Sequence, residues 1–404
     1  MVMTKQARPW WVVVVAAASI AAIGMGLRQV MGLYMKPVTT ELGIGREQFS
    51  LAIAIANISW GLAAPVFGAM SDRYGAGRVA VTGALSTATG LYLTYLAHTP
   101  VQLYLAGVFL GLGVAGAGVG SMVGAVARAA PPQLRTQAIA ALGMGSGIGM
   151  LLALPYTHIL IEQLGWQTSL LVLSATAFLM LPLTAFVAGK PEPHAVGSAS
   201  QSLMEALREA VRHPSFWLLN AGFFVCGFHV VFYATHLPAY IADKGIDGRV
   251  AVTALTAVGI GNLIGTYLAG QSARYFPKRY SLSAIYLGRA FVFLGFLYLP
   301  ITPTMIVVMS GLLGLLWLST VPLTSSLVGT FFGPQWMTML YGVVFLSHQA
   351  GSFLGVWAGG RVFDGTKSYD LMWWFSVALG IFAALIHLPI RETAVVRPGL
   401  VPAQ

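Results

Sequence analysis

Apolar runs of about 20 residues, each long enough to cross a bilayer as a helix, recur along the whole chain. They fall at roughly 10–36, 48–70, 78–98, 100–127, 136–160 and 166–188, and then at 215–241, 250–273, 281–300, 303–330, 338–361 and 370–390. Twelve spans put both termini on one side of the membrane. The one sustained polar stretch, 189–213, opens with Lys190-Pro-Glu-Pro-His and continues through Gly197 to Ser202 as linker-like sequence. Ser202 followed by Glu205 has the spacing of a capping box, which predicts a short amphipathic helix from Ser202 to Arg212, ended by Pro214. The pattern divides the chain into a six-helix half (1–188), a linker (189–213) and a second six-helix half (214–404).

Composition agrees with the pattern. Of 404 residues, 57% are hydrophobic and 8% charged, where soluble domains carry about a quarter charged residues. The first run starts at Trp10, has no small-residue cleavage site behind it, and is too long for a signal-peptide core. It reads as the first helix of an all-α integral membrane protein. The single cysteine, Cys226, lies within a span, so no disulfide framework is expected and packing is its assigned role.

A net charge of +10 suggests a nucleic-acid partner until the charges are placed. Lys5, Arg8, Arg73, Arg78, Arg128, Arg135, Lys190, Arg208, Arg212, Arg274, Lys278, Arg279, Arg391 and Arg397 fall on one side of the predicted topology. Lys36, Arg46, Lys244, Arg249, Arg361 and Lys367 fall on the other. This bias in short loops orients a protein of the inner membrane with both termini in the cytoplasm, and it excludes a nucleic-acid groove. No catalytic motif is found: there is no H-E-x-x-H, G-x-S-x-G or P-loop. The G-x-G-x-x-G at Gly111–Gly116 follows no strand and reads as helix packing. Neither an enzyme nor a bound cofactor or metal is expected. Clustered glycines in the fourth span (Gly107 to Gly124) and fifth span (Gly143 to Gly149) are read as close helix contacts.

Ionisable groups at bilayer depth are costly and mark function. Arg28 lies in the first span, about 12 Å from its outer end. The one acidic residue within these bounds, Asp370, opens the last span at its outer end, so none lies at bilayer depth to pair with it. A buried cation without a protein partner points to an anionic ligand. The alternative for Arg28 is snorkelling to the surface. His229, Tyr233, His236 and Tyr240 share one face of the seventh span, and Tyr341, Phe345, His348 and Ser352 one face of the eleventh. Trp317, Thr320 and Thr324 lie on one side of the tenth span, which Pro322 is expected to bend. These stripes predict a shared polar cavity, or else hydrogen bonds between helices. Arg289, mid-span in a peripheral helix, is expected to bond a helix end or a neighbouring carbonyl.

Between the second and third spans, Gly68, Asp72, Arg73, Gly75 and Arg78 reproduce G-x-x-x-D-R-x-G-x-x-R. This resembles the signature loop of the major facilitator superfamily. The resemblance implies that superfamily's fold of twelve helices in two six-helix halves, with 3+3 inverted repeats in each half. Physically, Gly68 permits tight packing and Gly75 a φ > 0 bend. Asp72 and the arginines form a latch that breaks when the protein opens inward. Gly270 to Arg279 is a degenerate second copy without the aspartate.

The stretch Gly26 to Pro37, with Arg28, and the run Tyr341 to Gly351, with His348, are similar to the monocarboxylate transporter and oxalate:formate antiporter branch. That likeness implies carboxylate contact at Arg28 and places His348 where exchangers carry a lysine. Asn262 and Thr266 stand where monocarboxylate transporters have a charged pair in the eighth span, so that coupling mechanism does not carry over. The expected function is secondary transport of a small organic anion, a mono- or dicarboxylate, by alternating access. Arg28, His229, Tyr233, Trp317, Thr320, Tyr341 and His348 would bind it. Proton coupling would fall to His229 or His348, as symport or as anion exchange. Protons and lipid are the expected partners besides the substrate, and a monomer suffices. The alternative is an exporter of amphipathic drugs or metabolites, which would ignore Arg28.

Overall fold

The computed structural model describes residues 9–188, 202–333 and 336–395. Sixteen α-helices build it: α1 Trp10–Gln29, α2 Met35–Leu42, α3 Arg46–Tyr74, α4 Ala76–Tyr95, α5 Pro100–Ala117, α6 Val119–Ala129, α7 Arg135–Ala177, α8 Met180–Val187, α9 Leu203–Arg212, α10 Pro214–Asp243, α11 Gly248–Ser272, α12 Lys278–Tyr298, α13 Pro303–Leu315, α14 Thr320–Phe332, α15 Met337–Thr366 and α16 Asp370–His387. Two 3₁₀ turns, Val30–Tyr34 and Pro132–Leu134, complete the order, and there is no strand among the described residues.

Among the described residues, ten segments are long and apolar enough to cross a membrane. One of them, Gln137–Val187, has 51 residues. At 1.5 Å per residue it would reach more than twice the ~30 Å hydrocarbon core. It turns back at Gly165, where φ is 76° and ψ is 164°, and so supplies two crossings. The 20-residue helix α4 supplies the twelfth. Its Ser86, Thr87 and Thr94 dilute its hydropathy, but they lie buried against the bundle.

Several crossings are broken where the sequence removes a helical donor or adds a flexible residue. Pro37 has no N–H for the Leu33 carbonyl, and the chain between α1 and α2 relaxes into a 3₁₀ turn. Gly118, extended at ψ 173°, separates α5 from α6. Pro322 lies near the start of α14, and the helix is interrupted over the preceding turn, between Leu315 and Thr320.

The two halves repeat one packing plan. In the first, α1 packs along α7, α3 along α5, and α4 against α7 and α8. In the second, α10 packs along α15, α11 along α13, and α12 against α16. Between the halves, α3 runs beside α15 and α7 beside α11. The predicted capping box is present: Ser202 Oγ accepts from the Glu205 N–H at 3.3 Å, and Glu205 Oε2 accepts from the Ser202 N–H at 2.8 Å. Residues 189–201, the rest of the predicted linker, lie outside the described residues.

On the face remote from α9 the halves touch along α3–α15 and α7–α11 and leave between them a cavity of about 500 Å³ beside Lys36, Glu41, His158, Trp166 and Ala239; toward the α9 side they part. A Cβ on Gly248 would lie near His158, one on Gly259 against Leu151, and one on Gly147 against Leu263. One turn further, Met144 and Tyr267 are 54% and 67% exposed. Likewise α3 and α15 touch from Gly45 and Asp364 down to Gly61 and Gln349, after which Leu62 and Val66 are exposed.

Within the first half, α1 and α7 approach backbone to backbone. A Cβ at Gly26 would come 2.7 Å from the Gly149 carbonyl oxygen, and one at Gly149 would collide with the Ala22 carbonyl. Gly149→Val is therefore expected to destabilise by about 1–3 kcal/mol or more. Gly143, around which a Cβ meets nothing within 4 Å, is the control: Gly143→Ala should gain up to about 1 kcal/mol. Thermal unfolding of the purified variants in detergent checks both signs.

Candidate functional site

Arg28 is the second-last residue of α1 and is half-buried. Its Nη2 donates to Asn57 Oδ1 at 2.6 Å, and its guanidinium lies 5.0 Å from the Trp60 ring centroid. Asn57 is held in this orientation because its Nδ2 donates to the Ile53 carbonyl at 2.8 Å. Trp60 falls at the midpoint of the 29-residue α3, which places the guanidinium at mid-bundle and not at the surface. Hydrogen bond and cation–π contact orient the charge without neutralising it. Among the described residues no carboxylate pairs with Arg28. A cavity of about 40 Å³ adjoins it, walled by Asn57, Trp60 and Leu110 from the first half and by Val231, Ala234 and Thr235 of α10 from the second. That volume holds a water or two; a larger ligand requires the walls to move.

An aromatic bridge continues the site across the interface. Trp60 meets Phe345 edge-on at 5.1 Å, and Phe345 stacks on His348 at 5.8 Å with an interplanar angle of 8°. His348 also packs on Phe223, 4.9 Å away, and Tyr341 approaches the same Phe223 at 6.0 Å. The structure thus joins Arg28, His348 and Tyr341 through aromatic contacts.

It does not bring the seventh-span stripe to them. His229 bonds the Ser376 carbonyl at 2.9 Å, and Tyr233 bonds Ser310 Oγ at 2.7 Å. His236 bonds the Tyr369 hydroxyl at 2.9 Å and the Val356 carbonyl at 2.8 Å. All three side chains are at most 1% exposed. His229 and Tyr233 on this face of α10 look into their own half, while His236 Nε2 also lies 3.5 Å from Ser50 Oγ of α3; the adjoining face, with Val231, Ala234 and Thr235, lines the Arg28 cavity. Trp317 and Thr320 are buried in the second half too, Trp317 edge-on to Tyr233 and Thr320 3.3 Å from Cys226 Sγ. One cavity lined by all three stripes, as the spacing predicts, is not formed here: periodicity groups residues on a face but does not say which neighbour the face meets.

Arg289 resolves into a structural role. It is fully buried, and its Nε and Nη2 donate to the Leu316 carbonyl at 2.9 and 2.6 Å, with Nη2 also bonding the Trp317 carbonyl. These carbonyls are freed where the tenth span breaks. On the amide side of the same break, Asn262 Oδ1 accepts from the Leu318 N–H at 3.0 Å, and Thr266 donates to the same oxygen at 3.3 Å. The two residues that replace a charged pair in the eighth span thus help to hold a broken helix.

At the face remote from α9, charge closes the halves together. Arg46 and Asp243 form a two-pronged pair, with both nitrogen–oxygen distances at 2.7 Å. The Arg46 guanidinium is 3.7 Å from the Phe363 centroid, and its Nη1 bonds Tyr369. Asp364 caps α3, accepting from the Arg46 and Glu47 backbone N–H groups at 3.0 and 2.8 Å. Glu47 accepts from Trp357 and Arg361 at 3.1 and 3.0 Å. Sequence reading assigned these charges only to loops; their position at helix ends was the available signal.

On the α9 side, Gly75 has φ 92° and makes the one-residue turn between α3 and α4, as expected. Gly68 is a correction. A Cβ there meets nothing within 4 Å, so it is not packed tightly in this conformation; on that side α3 keeps its own half, where Ser71 Oγ donates to the Ser121 carbonyl at 2.6 Å, and has parted from α15. Arg73 and Arg78 are exposed, and the side chain of Asp72 lies outside the described residues.

Among the described residues, twelve crossings packed on one repeated plan, with a cation held at mid-bundle, are the architecture of a membrane transporter. The chain belongs to the Major Facilitator Superfamily, whose family model matches residues 10–356; such proteins transport and are not enzymes. It is 26% identical to an uncharacterised MFS-type transporter, YcxA, of Bacillus subtilis, over 91% of this chain and 92% of that one. Monocarboxylate transporter 11 of Mus musculus is also 26% identical, over 89% and 82%. The sialic acid transporter NanX of Escherichia coli is 26% identical over a shorter stretch, 58% of this chain and 57% of the relative. Among solved structures, a D-xylose–proton symporter matches with a TM-score of 0.75 at 16% identity, over 95% of this chain and 99% of that one. An inward-facing, occupied bacterial homologue of the lysosomal transporter Spinster matches at 0.74 and 15%, over 95% and 97%. These structural likenesses establish the fold.

Two substitutions test the assigned contacts. Arg289→Met strips the Leu316 and Trp317 carbonyls of a charged donor and should cost roughly 3 kcal/mol or more, read as a lowered melting temperature. Asp243→Asn should loosen the remote face and raise the labelling rate of a cysteine introduced at Ser50, with little change in melting temperature.

Proposed function

We propose that this protein is a secondary transporter of a small organic anion, a mono- or dicarboxylate, bound at Arg28 and carried by alternating access. One observation carries the reading: a guanidinium at mid-bundle, oriented by Asn57 and Trp60 but not neutralised by them. An anion arriving at Arg28 gains charge-assisted bonds in a site of low dielectric. The monocarboxylate and sialic acid transporters among the relatives support the choice of a carboxylate.

In this reading the face remote from α9 is the outer one, the termini are cytoplasmic in the inner membrane, and the conformation described is open inward. The two halves are 1–188 and 214–404, joined by 189–213, and they rock about the mid-bundle site as a monomer. The Gly68, Asp72, Arg73, Gly75 and Arg78 latch then closes the inner face in the opposite state. His348, joined to Arg28 through Phe345 and Trp60, is the better-placed coupling residue. His229, Tyr233, Trp317 and Thr320 belong to a cluster inside the second half and reach substrate only if that half repacks. Co-transport with a proton and exchange of anions both follow from a site that must not cross the membrane as a bare cation.

The test is the melting temperature of the purified protein against carboxylates, amines, sugars and amphiphiles. A ligand at 100 times its Kd stabilises by about 2.7 kcal/mol. Carboxylates are expected to raise the melting temperature of wild type and to leave Arg28→Ala, itself folded, unmoved. A response only to cationic or neutral amphiphiles, unchanged in Arg28→Ala, would make the protein an exporter of such compounds instead.

A further inference from the structure

Gln349 of α15 is 0% exposed, and neither its Nε2 nor its Oε1 has a hydrogen-bond partner among the described residues. Exchanging the two ends of the amide changes nothing, because both are bare. A buried polar group left unpaired carries its full desolvation cost. For packing alone, leucine or methionine would fill the same volume without that cost.

Its location points to a use. A Cβ on Gly61 of α3 would lie 2.8 Å from Gln349 Cβ, so the residue sits on the seam between the halves. Gly61 is one helical turn, about 6 Å, from Asn57, the partner of Arg28. One turn back along α15 is Phe345, which packs on Trp60. Leu62, next to Gly61, is 60% exposed, so Gln349 lies where the two helices begin to part toward the α9 side. No residue of α15 lines the 40 Å³ cavity in this conformation, so the amide meets a ligand there once α3 and α15 separate at Gly61.

The donor–acceptor balance then constrains the ligand. An ionised carboxylate accepts from the Nε2–H but offers Oε1 nothing. A simple alkyl carboxylate would leave that oxygen bare. We propose that Gln349 is a substrate-contacting residue supplied by the second half, and that the substrate is a carboxylate also carrying a hydroxyl or amide N–H. This rests on the reading of Arg28 as the anion site.

The test uses the full chain in detergent and matched carboxylates with and without hydroxyls: butyrate against 3-hydroxybutyrate, and hexanoate against gluconate. Apparent affinities are taken from melting-temperature titrations. Wild type is expected to prefer at least one hydroxylated partner by tenfold or more, since a site built for a hydroxyl rejects the analogue that lacks it. Gln349→Leu should reduce that preference to within about twofold, chiefly by weakening the hydroxylated acid, and keep or raise the unliganded melting temperature. Gln349→Met serves as a second variant of similar length.

A lowered unliganded melting temperature in both variants, or failure of both to fold, would make the amide structural, as a glutamine satisfied by trapped water would be, and overturn the proposal. So would equal binding of the paired acids by wild type. If carboxylates bind through Arg28 without dependence on Gln349, the Gln349 proposal alone fails. If no carboxylate binds, the Arg28 reading fails and takes this proposal with it.

Discussion

Moving a guanidinium to the middle of a bilayer costs a few to more than ten kcal/mol, depending on how far it can reach for water. This fold carries two and treats them oppositely. Arg289 is fully enclosed; its Nε and Nη2 donate to backbone carbonyls released by a broken helix, and its Nη1 has no partner among the described residues. Arg28 is half-buried, keeps one neutral partner and one aromatic ring, and faces a cavity shared by both halves. The first is a bolt inside a rigid body. The second is a charge with capacity left over, and the reading of function turns on that difference.

The rest of the architecture gives that charge a setting that can change. Glycines let α1 lie against α7 backbone to backbone, which makes the first half a dense unit. The second half is held by the α10 stripe, whose histidines and tyrosine bond inward to α13, α15 and α16. Between these bodies lie contacts of a different kind. An ion network in which a buried Arg46 meets Asp243 and Asp364 at the edge closes one face, and small residues with the buried amides of Asn57 and Gln349 form the seam at mid-depth. Ion pairs can exchange partners for water at modest cost, whereas packed cores switch only between discrete arrangements. A two-state rocking motion about Arg28 follows from that distribution.

Much of the fold was legible in the chain, since bilayer thickness and backbone satisfaction leave few choices for twenty apolar residues. The twelve crossings, the Ser202–Glu205 cap, the turn at Gly75 and the bond of Arg289 to carbonyls all follow from local chemistry. The site was less legible, because it depends on which face meets which neighbour. The His229–Tyr233–His236 stripe is a true face of α10, yet it looks away from Arg28. Asn57 was visible only as one amide in an apolar run, and Gln349 only as the neighbour of a histidine. Arg46 and Asp243 are 197 positions apart, and nothing local announces that they pair. The tight packing that the spacing predicts at Gly68 is not made in this conformation, because a glycine in a motif does not say which neighbour it meets.

The central claim is that an anion docks on the guanidinium held over Trp60. The most direct measurement is the Trp60 emission, obtained as the difference between wild type and Trp60→Phe, while a carboxylate and then a cationic amphiphile are titrated in. The account predicts a saturable change with the carboxylate, absent from Trp60→Phe, and none with the cation. A saturable change with the cation alone would contradict it.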